Sequence, residues 1–410
     1  MSFYKLSKLK YPWKKYVSTN KDTILYISGN NKKSNIDYLL SIGNNYKKIK
    51  NWVSNAQTHF GFIIINKESI YIAADRIASF PIYLCNFDQN IIGISSSSSD
   101  WINSKFNLDI DLENVFLYQM AGYTFGRTTL RKSVMRVLPG ELCSIRKNKF
   151  SYDIDFDRYY KFCPNFKTSK NFNFLSSYLD FDKAINKSIK KLIEQADGRK
   201  IVLALSSGYD SRLILGKLIE NNYLNVECFS YGNINSFEVK EAKNISENLN
   251  IKWHHVDDDF SKNKQKMLLK GKLKEYFNFA SGLSSTAAMT EIIYLDKLIK
   301  RNPYLKDALF TNGQTGDFIS GGHLFYLKNQ KSKKEFMKNF INKHLNLIID
   351  DTYSLKQKSI FLKKFLVTYP TKQSLYHNYH SLTSLIEWQE RQSNYIINQQ
   401  RAYDYLNLEW

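Results

Sequence analysis

The sequence predicts an α/β protein in two parts: a strand-rich N-terminal half, then a doubly wound parallel sheet with a helical C-terminal part. Three observations predict it. Up to about residue 160, short β-branched and aromatic runs alternate with turn signals. Beyond that, continuous apolar runs alternate with stretches of helical periodicity. After about residue 325 the pattern is mostly helical.

In the first half the strand candidates are Thr23–Ser28, Phe60–Ile65, Ser69–Ala73 and Ile91–Ile94, and the five serines Ser95–Ser99 can end a strand. Residues 163–172 are polar and carry Pro164, so the domain boundary is expected there, with one domain over 1–165 and a second over 170–410. The second opens with Tyr178, Phe181, Ile185, Ile189, Leu192 and Ile193 at helical spacing, stopped by Asp197-Gly198. Ile201–Leu205 is a continuous apolar run, the pattern of a strand buried on both faces. Leu213, Leu215, Leu218 and Ile219 then predict a helix, and Val226–Tyr231 a strand. Val239, Ala242, Ile245 and Leu249 mark the next helix, and Ile251–Val256 the third strand. In such sheets ligands sit beyond the carboxyl ends of the strands, so the residues after 205, 231 and 311 matter most.

Composition narrows the classes. The 410 residues are 43% hydrophobic, enough to bury real cores, and 15% aromatic, which excludes a disordered or collagen-like chain. No run approaches the roughly 18–20 apolar residues of a membrane span. The N-terminus lacks the apolar core of a secretory signal, so a cytoplasmic location is expected. The cysteines at 85, 143, 163 and 228 lack C-x-x-C spacing. The net charge of +21 comes from lysines spread along the chain. Their runs, such as Lys262 to Lys274, read as a solvated face, and nucleic acid is not the expected partner.

One loop carries chemistry. After the first buried strand comes Ser206-Ser207-Gly208-Tyr209-Asp210-Ser211-Arg212, then a helix. Small residues let the backbone turn tightly, and the helix N-terminus adds partial positive charge, so the loop can cradle phosphates. Asp210 can hold a magnesium ion bridging phosphate oxygens, and Ser206 and Ser211 can donate hydroxyls. The bland alternative is a serine-rich turn with a helix cap. The spacing to Gly216-Lys217 excludes a Walker A loop.

The segment LALSSGYDSR resembles the S-G-G-x-D-S pyrophosphate loop of the N-type ATP pyrophosphatases. FSYGNINSFEVKEAKNISENLNIKWHHVD is similar to the second strand, adenine-contacting turn and following helix of their asparagine synthetase branch. FTNGQTGDFISGGH resembles that family's S-G-E-G-x-D-E-x-x-G-G-Y segment, matching at Gly313, Asp317, Gly321 and Gly322. The first half, in FGFIIINKESIYIAADRIASFPIYL and PGELCSIRKNKF, resembles the family's glutamine amidotransferase domain.

The resemblance implies a degenerate N-terminal-nucleophile (Ntn) hydrolase-like sandwich followed by an adenine-nucleotide α-hydrolase-like domain. It implies an ATP-dependent ligase: a carboxylate attacks the α-phosphate, pyrophosphate leaves, and ammonia or an amine converts the acyl-adenylate to an amide. ATP and Mg2+ are the implied cofactors. Ser206, Ser207, Gly208, Asp210 and Ser211 would hold pyrophosphate. Asp210 and Asp317 would carry the metal, and Leu205, Tyr231 and Gly313 would edge the adenine. Arg212 would neutralise phosphate or merely start its helix. Gln314 stands where the family has a catalytic-site glutamate.

The chain departs from the family in several places. Ser207 replaces a glycine, so a positive φ there would cost ~1 kcal/mol. Phe237 stands for an aspartate beside Glu238, and Phe318 for the acidic partner of Asp317. Position 2 is serine where the amidotransferases need an N-terminal cysteine, so the first domain is expected to be a non-hydrolytic platform. His254-His255 reads as a satisfied structural pair rather than a metal site. The C-terminal EWQERQSNYIINQQRAYDYLNLEW places Trp388, Tyr395, Ile396 and Tyr403 at helical spacing and resembles asparagine synthetase-like proteins of surface-polysaccharide gene clusters. Those continue past this point, so either the chain is truncated at Trp410 or the family's catalytic lysine is absent. Arg391 would reach the active site or lie on a helix surface. The expected acceptor is aspartate, a sugar acid or a peptide carboxylate. Glutamine-dependent asparagine synthesis, lasso-peptide or β-lactam-type ring closure, and an inactive nucleotide-binding homologue are the alternatives. The oligomeric state stays open.

Overall fold

The computed structural model describes residues 3–29, 32–87, 91–97, 109–149, 151–162, 173–257, 260–281, 283–327, 333–347, 358 and 379–410. Ser2, Cys163, Ser98, Ser99 and the whole expected boundary at 163–172 lie outside them. The chain forms two compact units. The first comprises Met1–Phe166, Asn278–Ala287 and His323–Gln399; the second comprises Lys167–Phe277, Ala288–Gly322 and Gln400–Trp410. The sequence predicts a second domain unbroken from 170 to 410, whereas residues 278–287 and 323–399 group with the first unit.

The first unit holds two sheets built from β1 (Tyr4–Leu6), β2 (Lys14–Val17), β3 (Ile24–Ser28), β4 (Gly61–Ile65), β5 (Ser69–Ala74), β6 (Tyr83–Asn86), β7 (Ile92–Ser95), β8 (Val134–Arg136), β9 (Glu141–Lys147) and β10 (Tyr152–Arg158). One sheet is antiparallel throughout, in the order β10-β9-β5-β4-β3-β2; the other runs β1-β7-β6-β8, with β1 and β7 parallel. Phe62 and Ile64 of β4 join Leu25, Ile27 and Leu142 in a core shared with Leu39 of α1 (Lys33–Ser41) and Ile49 and Val53 of α2 (Tyr46–Asn55). Side chains alternate along a strand, so Ile63 and Ile65 point to the opposite face, and they are buried too.

Polar bonding explains why residues 323–399 belong here. The helical spacing of Trp388, Tyr395 and Ile396 falls on a π-helix, Glu387–Ile396. Ser393 Oγ donates to Trp388 O at 2.7 Å, and Gln392 Nε2 to Glu387 Oε1 at 3.2 Å, both five residues apart. The segment is polar yet buried, and many of its polar groups bond within the unit. Arg136 Nη2 lies 2.8 Å from Glu390 Oε2, which also accepts from Gly126 N at 2.9 Å. Trp388 Nε1 donates to Arg76 O at 2.8 Å, and Asn394 Nδ2 to Thr124 O and Ser284 O at 3.1 Å each. Arg391 bonds Glu387 at 3.0 Å, which settles it on its own helix.

The second unit is built on four parallel strands, β11 (Ile201–Ala204), β12 (Val226–Gly232), β13 (Lys252–Asp257) and β14 (Leu309–Asn312), in the order β13-β12-β11-β14. The chain steps outward on one side of β11 and returns to its other side as β14. The order therefore reverses between β11 and β14, the switch point at which parallel sheets open a crevice. Between β2 and β11 the remaining long helices are α3 (Leu112–Ala121) and α4 (Phe174–Ala196); α5 (Tyr209–Glu220) and α6 (Phe237–Asn248) follow β11 and β12. Ile201, Leu203, Val226, Cys228 and Leu309 on one face pack with Ile189 and Ala196 of α4, Leu215 and Leu218 of α5, and Ala242 of α6. On the other face Phe310 meets Phe229 and Tyr403, with ring centroids 6.4 and 5.5 Å away. The last residues are tied to this sheet: Phe310 N donates to Glu409 O at 2.8 Å, and Trp410 Nε1 to Asp404 Oδ1 at 2.9 Å. No helix among the described residues is long and apolar enough to cross a membrane. The cysteines at 85, 143 and 228 are free and buried.

Candidate active site

The loop after β11 and the loop after β14 flank the switch point. Leu205 is buried and prolongs the sheet by donating its N–H to Phe229 O at 2.9 Å. Ser230 Oγ donates to Leu205 O at 2.7 Å and locks the ends of β11 and β12 together. The chain then turns. Ser206 N and Gly208 N donate to the hydroxyls of Ser211 and Ser206 at 3.1 and 3.2 Å, and the two hydroxyls lie 3.1 Å apart. Ser211 is buried, so these bonds hold the turn in shape. Gly208 caps α5 with extended backbone (φ −69°, ψ 154°), and Asp210 stands in the first helical turn. Ser207 is not among the residues with positive φ, so its replacement of a glycine carries no backbone penalty. Arg212 turns back on its own helix: Nε donates to Gly208 O at 3.3 Å and the guanidinium sits 4.6 Å from the Tyr209 ring centre.

The β14 loop packs straight onto this turn. A Cβ at Gly313 would lie 2.8 Å from Ser211 N and 3.1 Å from Asp210 Cβ, so only glycine allows the approach. A Cβ at Gly316 would overlap the Asp210 carboxyl itself. Sequence reasoning singled out Gly313 and missed Gly316; the repeat of glycine three residues on was the available signal. Between them Thr315 holds φ 78°, strained for a β-branched residue. Asp317 follows, in the short helix Gly316–Ile319. Burial pushes the Asp210 carboxyl above its ordinary range, and the charge of Asp317 pushes it further. The two acids that the sequence assigned to a metal are thus electrostatically coupled.

Gln314 lies in a ring of amides. Its N–H donates to Asn312 Oδ1 at 3.1 Å, Asn312 Nδ2 donates to Gln400 Oε1 at 3.1 Å, and Gln400 Nε2 closes onto Gln314 Oε1. Gln400 carried no motif signal. Tyr231, at the end of β12, stacks on Tyr294 with centroids 4.4 Å apart and planes at 15°. Burial raises its phenol pKa, as do Glu291 and Glu238. His254 bonds Glu227 at 2.6 Å and His255 bonds Gly232 O at 2.9 Å. Among the described residues no group of three or more His, Cys, Asp or Glu gathers. Two carboxylates with phosphate oxygens are nonetheless a sufficient donor set for magnesium. A cation would relieve the repulsion that raises Asp210.

Alanine at Gly316 is expected to displace the Asp210 side chain, which can rotate away, without unfolding the sheet. Any turnover that depends on the Asp210 carboxyl should fall about a hundredfold, as for a misplaced reacting group. Thermal melting should move by only a degree or two, on the order of 0.5 kcal/mol. A full-rate variant would show that Asp210 does not need this position.

No family model matches the chain, and no curated protein matches it. Among solved structures it is similar to the NH3-dependent NAD synthetase from Campylobacter jejuni, at 15% identity over 51% of this chain and 92% of that one, with a TM-score of 0.26. It is similar to the glutamine phosphoribosylpyrophosphate amidotransferase of B. subtilis at 11% identity over 59% and 47%, TM-score 0.22. It is similar to an allosteric regulatory enzyme of purine biosynthesis at 12% identity over 52% and 46%, TM-score 0.23. The chain spans about half the length of the latter two. Scores this low carry no functional weight, and the site stands on its own geometry.

Proposed function

We propose that the second unit is an ATP-dependent, AMP-forming amide ligase centre of asparagine synthetase type. One observation carries it: the loop that carries Asp317 packs through Gly313 and Gly316 directly onto Asp210, beside a serine-pinned turn at the N-terminus of α5, where β11 and β14 part. A turn of small residues at a helix start suits the β- and γ-phosphates, and two adjacent acids suit the cation that travels with them.

In the reaction a carboxylate oxygen of the acceptor bonds to the α-phosphorus while the bond to the bridging oxygen breaks. Pyrophosphate leaves with that electron pair. Ammonia or an amine then attacks the acyl carbon, AMP leaves, and the nitrogen gives its proton to solvent. The Ser206–Ser211 turn orients the leaving pyrophosphate. Asp210 and Asp317 would hold magnesium, which would screen the charge developing on the leaving group. Leu205, Gly313 and the Tyr231 ring edge the adenine. Arg212, folded onto Gly208, steadies the turn. The first unit serves as a non-hydrolytic platform, with ammonia or an amine supplied directly. The acceptor carboxylate lies on a small molecule, a sugar acid or a peptide.

Exchange of labelled pyrophosphate into ATP, run with a panel of carboxylates and the full chain, tests the reading. Exchange that depends on both carboxylate and magnesium is expected. ATP hydrolysis without exchange, or no exchange with any acid, sinks it. A second reading, an inactive nucleotide-binding homologue, is favoured by the neutral Gln314 ring. It predicts magnesium-dependent ATP binding with no exchange.

A further inference from the structure

Tyr231, at the carboxyl end of β12, is held from one side only. It lies flat on Tyr294, with ring centres 4.4 Å apart and planes at 15°. Tyr294 belongs to the helix Glu291–Arg301 and is 5% exposed, whereas Tyr231 is 42% exposed. What stays open on Tyr231 is therefore its edge and the ring face turned away from Tyr294. Exposed aromatic side chains are common on this chain, and what singles out Tyr231 is its position. Ala204 pairs with Phe229 in the ladder, Leu205 N donates to Phe229 O at 2.9 Å, and Ser230 Oγ donates to Leu205 O at 2.7 Å. The next residue along β12 is Tyr231, and the next along the neighbouring strand is Ser206, where the serine turn begins. The two ends of this edge differ in charge. The turn leads into the N-terminus of α5, which suits phosphate. Around Tyr231, burial raises the phenol and the charges of Glu291 and Glu238 raise it further, so the ring stays neutral and phosphate is repelled.

Resting on the ligase reading above, we infer that the Tyr231–Tyr294 pair is a stacking platform for the nucleobase, with Tyr231 touching the base and Tyr294 as a positioning residue beneath it. The base lies on the open face of Tyr231 while the phosphates reach the serine turn. Tyr294 meets no part of the nucleotide. It fixes the Tyr231 ring in the folded chain, so the cost of ordering that ring is not charged against binding. Stacking rewards a flat ring held in place, and the near-parallel pair supplies one. A pair that serves packing alone would stabilise the chain and leave the affinity for a base unchanged.

The test is calorimetric binding of ATP and of inorganic triphosphate, each with magnesium, to the full chain and its variants. Triphosphate has no base and reports on the phosphate end alone. Tyr231→Ala should weaken ATP roughly tenfold and triphosphate less than about twofold. Tyr294→Leu should weaken ATP roughly threefold to fivefold, again with triphosphate in place. Tyr294→Phe keeps the ring and should bind ATP as the natural chain does. ATP binding unchanged in Tyr231→Ala overturns the inference, as does a parallel loss of both ligands in either variant, the mark of a purely structural pair. Should triphosphate bind too weakly to measure, recovery of ATP affinity in Tyr294→Phe but not in Tyr294→Leu supports the platform, and equal loss in both overturns it. In each of these failures, pyrophosphate exchange by the natural chain still decides the ligase reading on its own. If the natural chain binds neither ATP nor triphosphate, both readings fall.

Discussion

Asparagine in place of Asp210 will lower carboxylate-dependent pyrophosphate exchange by about a thousandfold and raise the melting temperature at the same time. The loss follows from removing one of two acids that hold the cation at the phosphates. The gain follows from the direction of the Asp210 shift. Burial and then Asp317 raise this carboxyl in the folded chain. An acid raised on folding favours the unfolded state once it ionises. The penalty is absent below the unfolded value of about 3.9, grows as pH rises toward the raised folded value, and is constant above it. Melts of both proteins from pH 4 to pH 8 should therefore diverge as pH rises, with the variant higher. Magnesium with ATP should stabilise the natural chain more than the variant, because the cation answers the repulsion that asparagine has already removed. A variant that melts lower at pH 8 would break the link drawn here between the two acids.

Glutamine in place of Glu227 should produce the largest loss of stability, about 3 kcal/mol. Glu227 is buried near the amino end of β12, away from the loops that form the site. It accepts from Tyr304 OH at 2.8 Å and faces His254 Nε2 at 2.6 Å and Lys200 Nζ at 2.7 Å. An amide can accept from one of these but must turn its NH2 toward another donor. Burial pushes this carboxyl up, yet the bonds from His254, Lys200 and Tyr304 outweigh it and hold the pKa at about 2, against an ordinary 4.5. The sign is the reverse of that for Asp210. The stabilisation is fully present above the unfolded value and is lost as pH falls through the folded one. The gap between the natural chain and Glu227→Gln should be widest near neutrality and shrink between pH 4.5 and 2. Urea unfolding at pH 7 and pH 3 measures it. An equal gap at both would show that the carboxylate's charge is not what matters. Exchange per folded molecule should stay near the natural rate, since Glu227 touches none of the site's loops.

Several strands and the serine-rich turn before α5 were legible because their signals are local. Phe62, Ile63 and Ile64 announce a strand buried on both faces, and Ile201–Leu205 followed by small residues announces a strand, a turn and a helix start. Asp210 and Asp317 could be named from their motifs, but their coupling could not, because it depends on how closely β14 lies beside β11. That the helix over Glu387–Ile396 is of the π kind could not be read for a related reason. Its aromatic spacing suits either kind of helix, and the choice is made by Arg136, Thr124 and Arg76, which bond it from the far end of the sequence. The buried polar residues 387–394 were invisible to hydrophobic periodicity, which counts apolar side chains only.

What the sequence determined by itself is therefore the strand–helix alternation over 201–257, four of the strands in the first half, and a turn of small residues at the start of α5. Periodicity, caps and small residues act over a few positions and need no distant partner. Tertiary structure alone decided that Gly316 must lack a side chain for Asp210 to stand where it does. It alone closed Gln314 into a ring with Gln400, 86 residues away, and assigned residues 323–399 to the first unit. Each of these is a contact between distant segments. Its energy comes from excluding water around polar groups that pair only once the chain has folded.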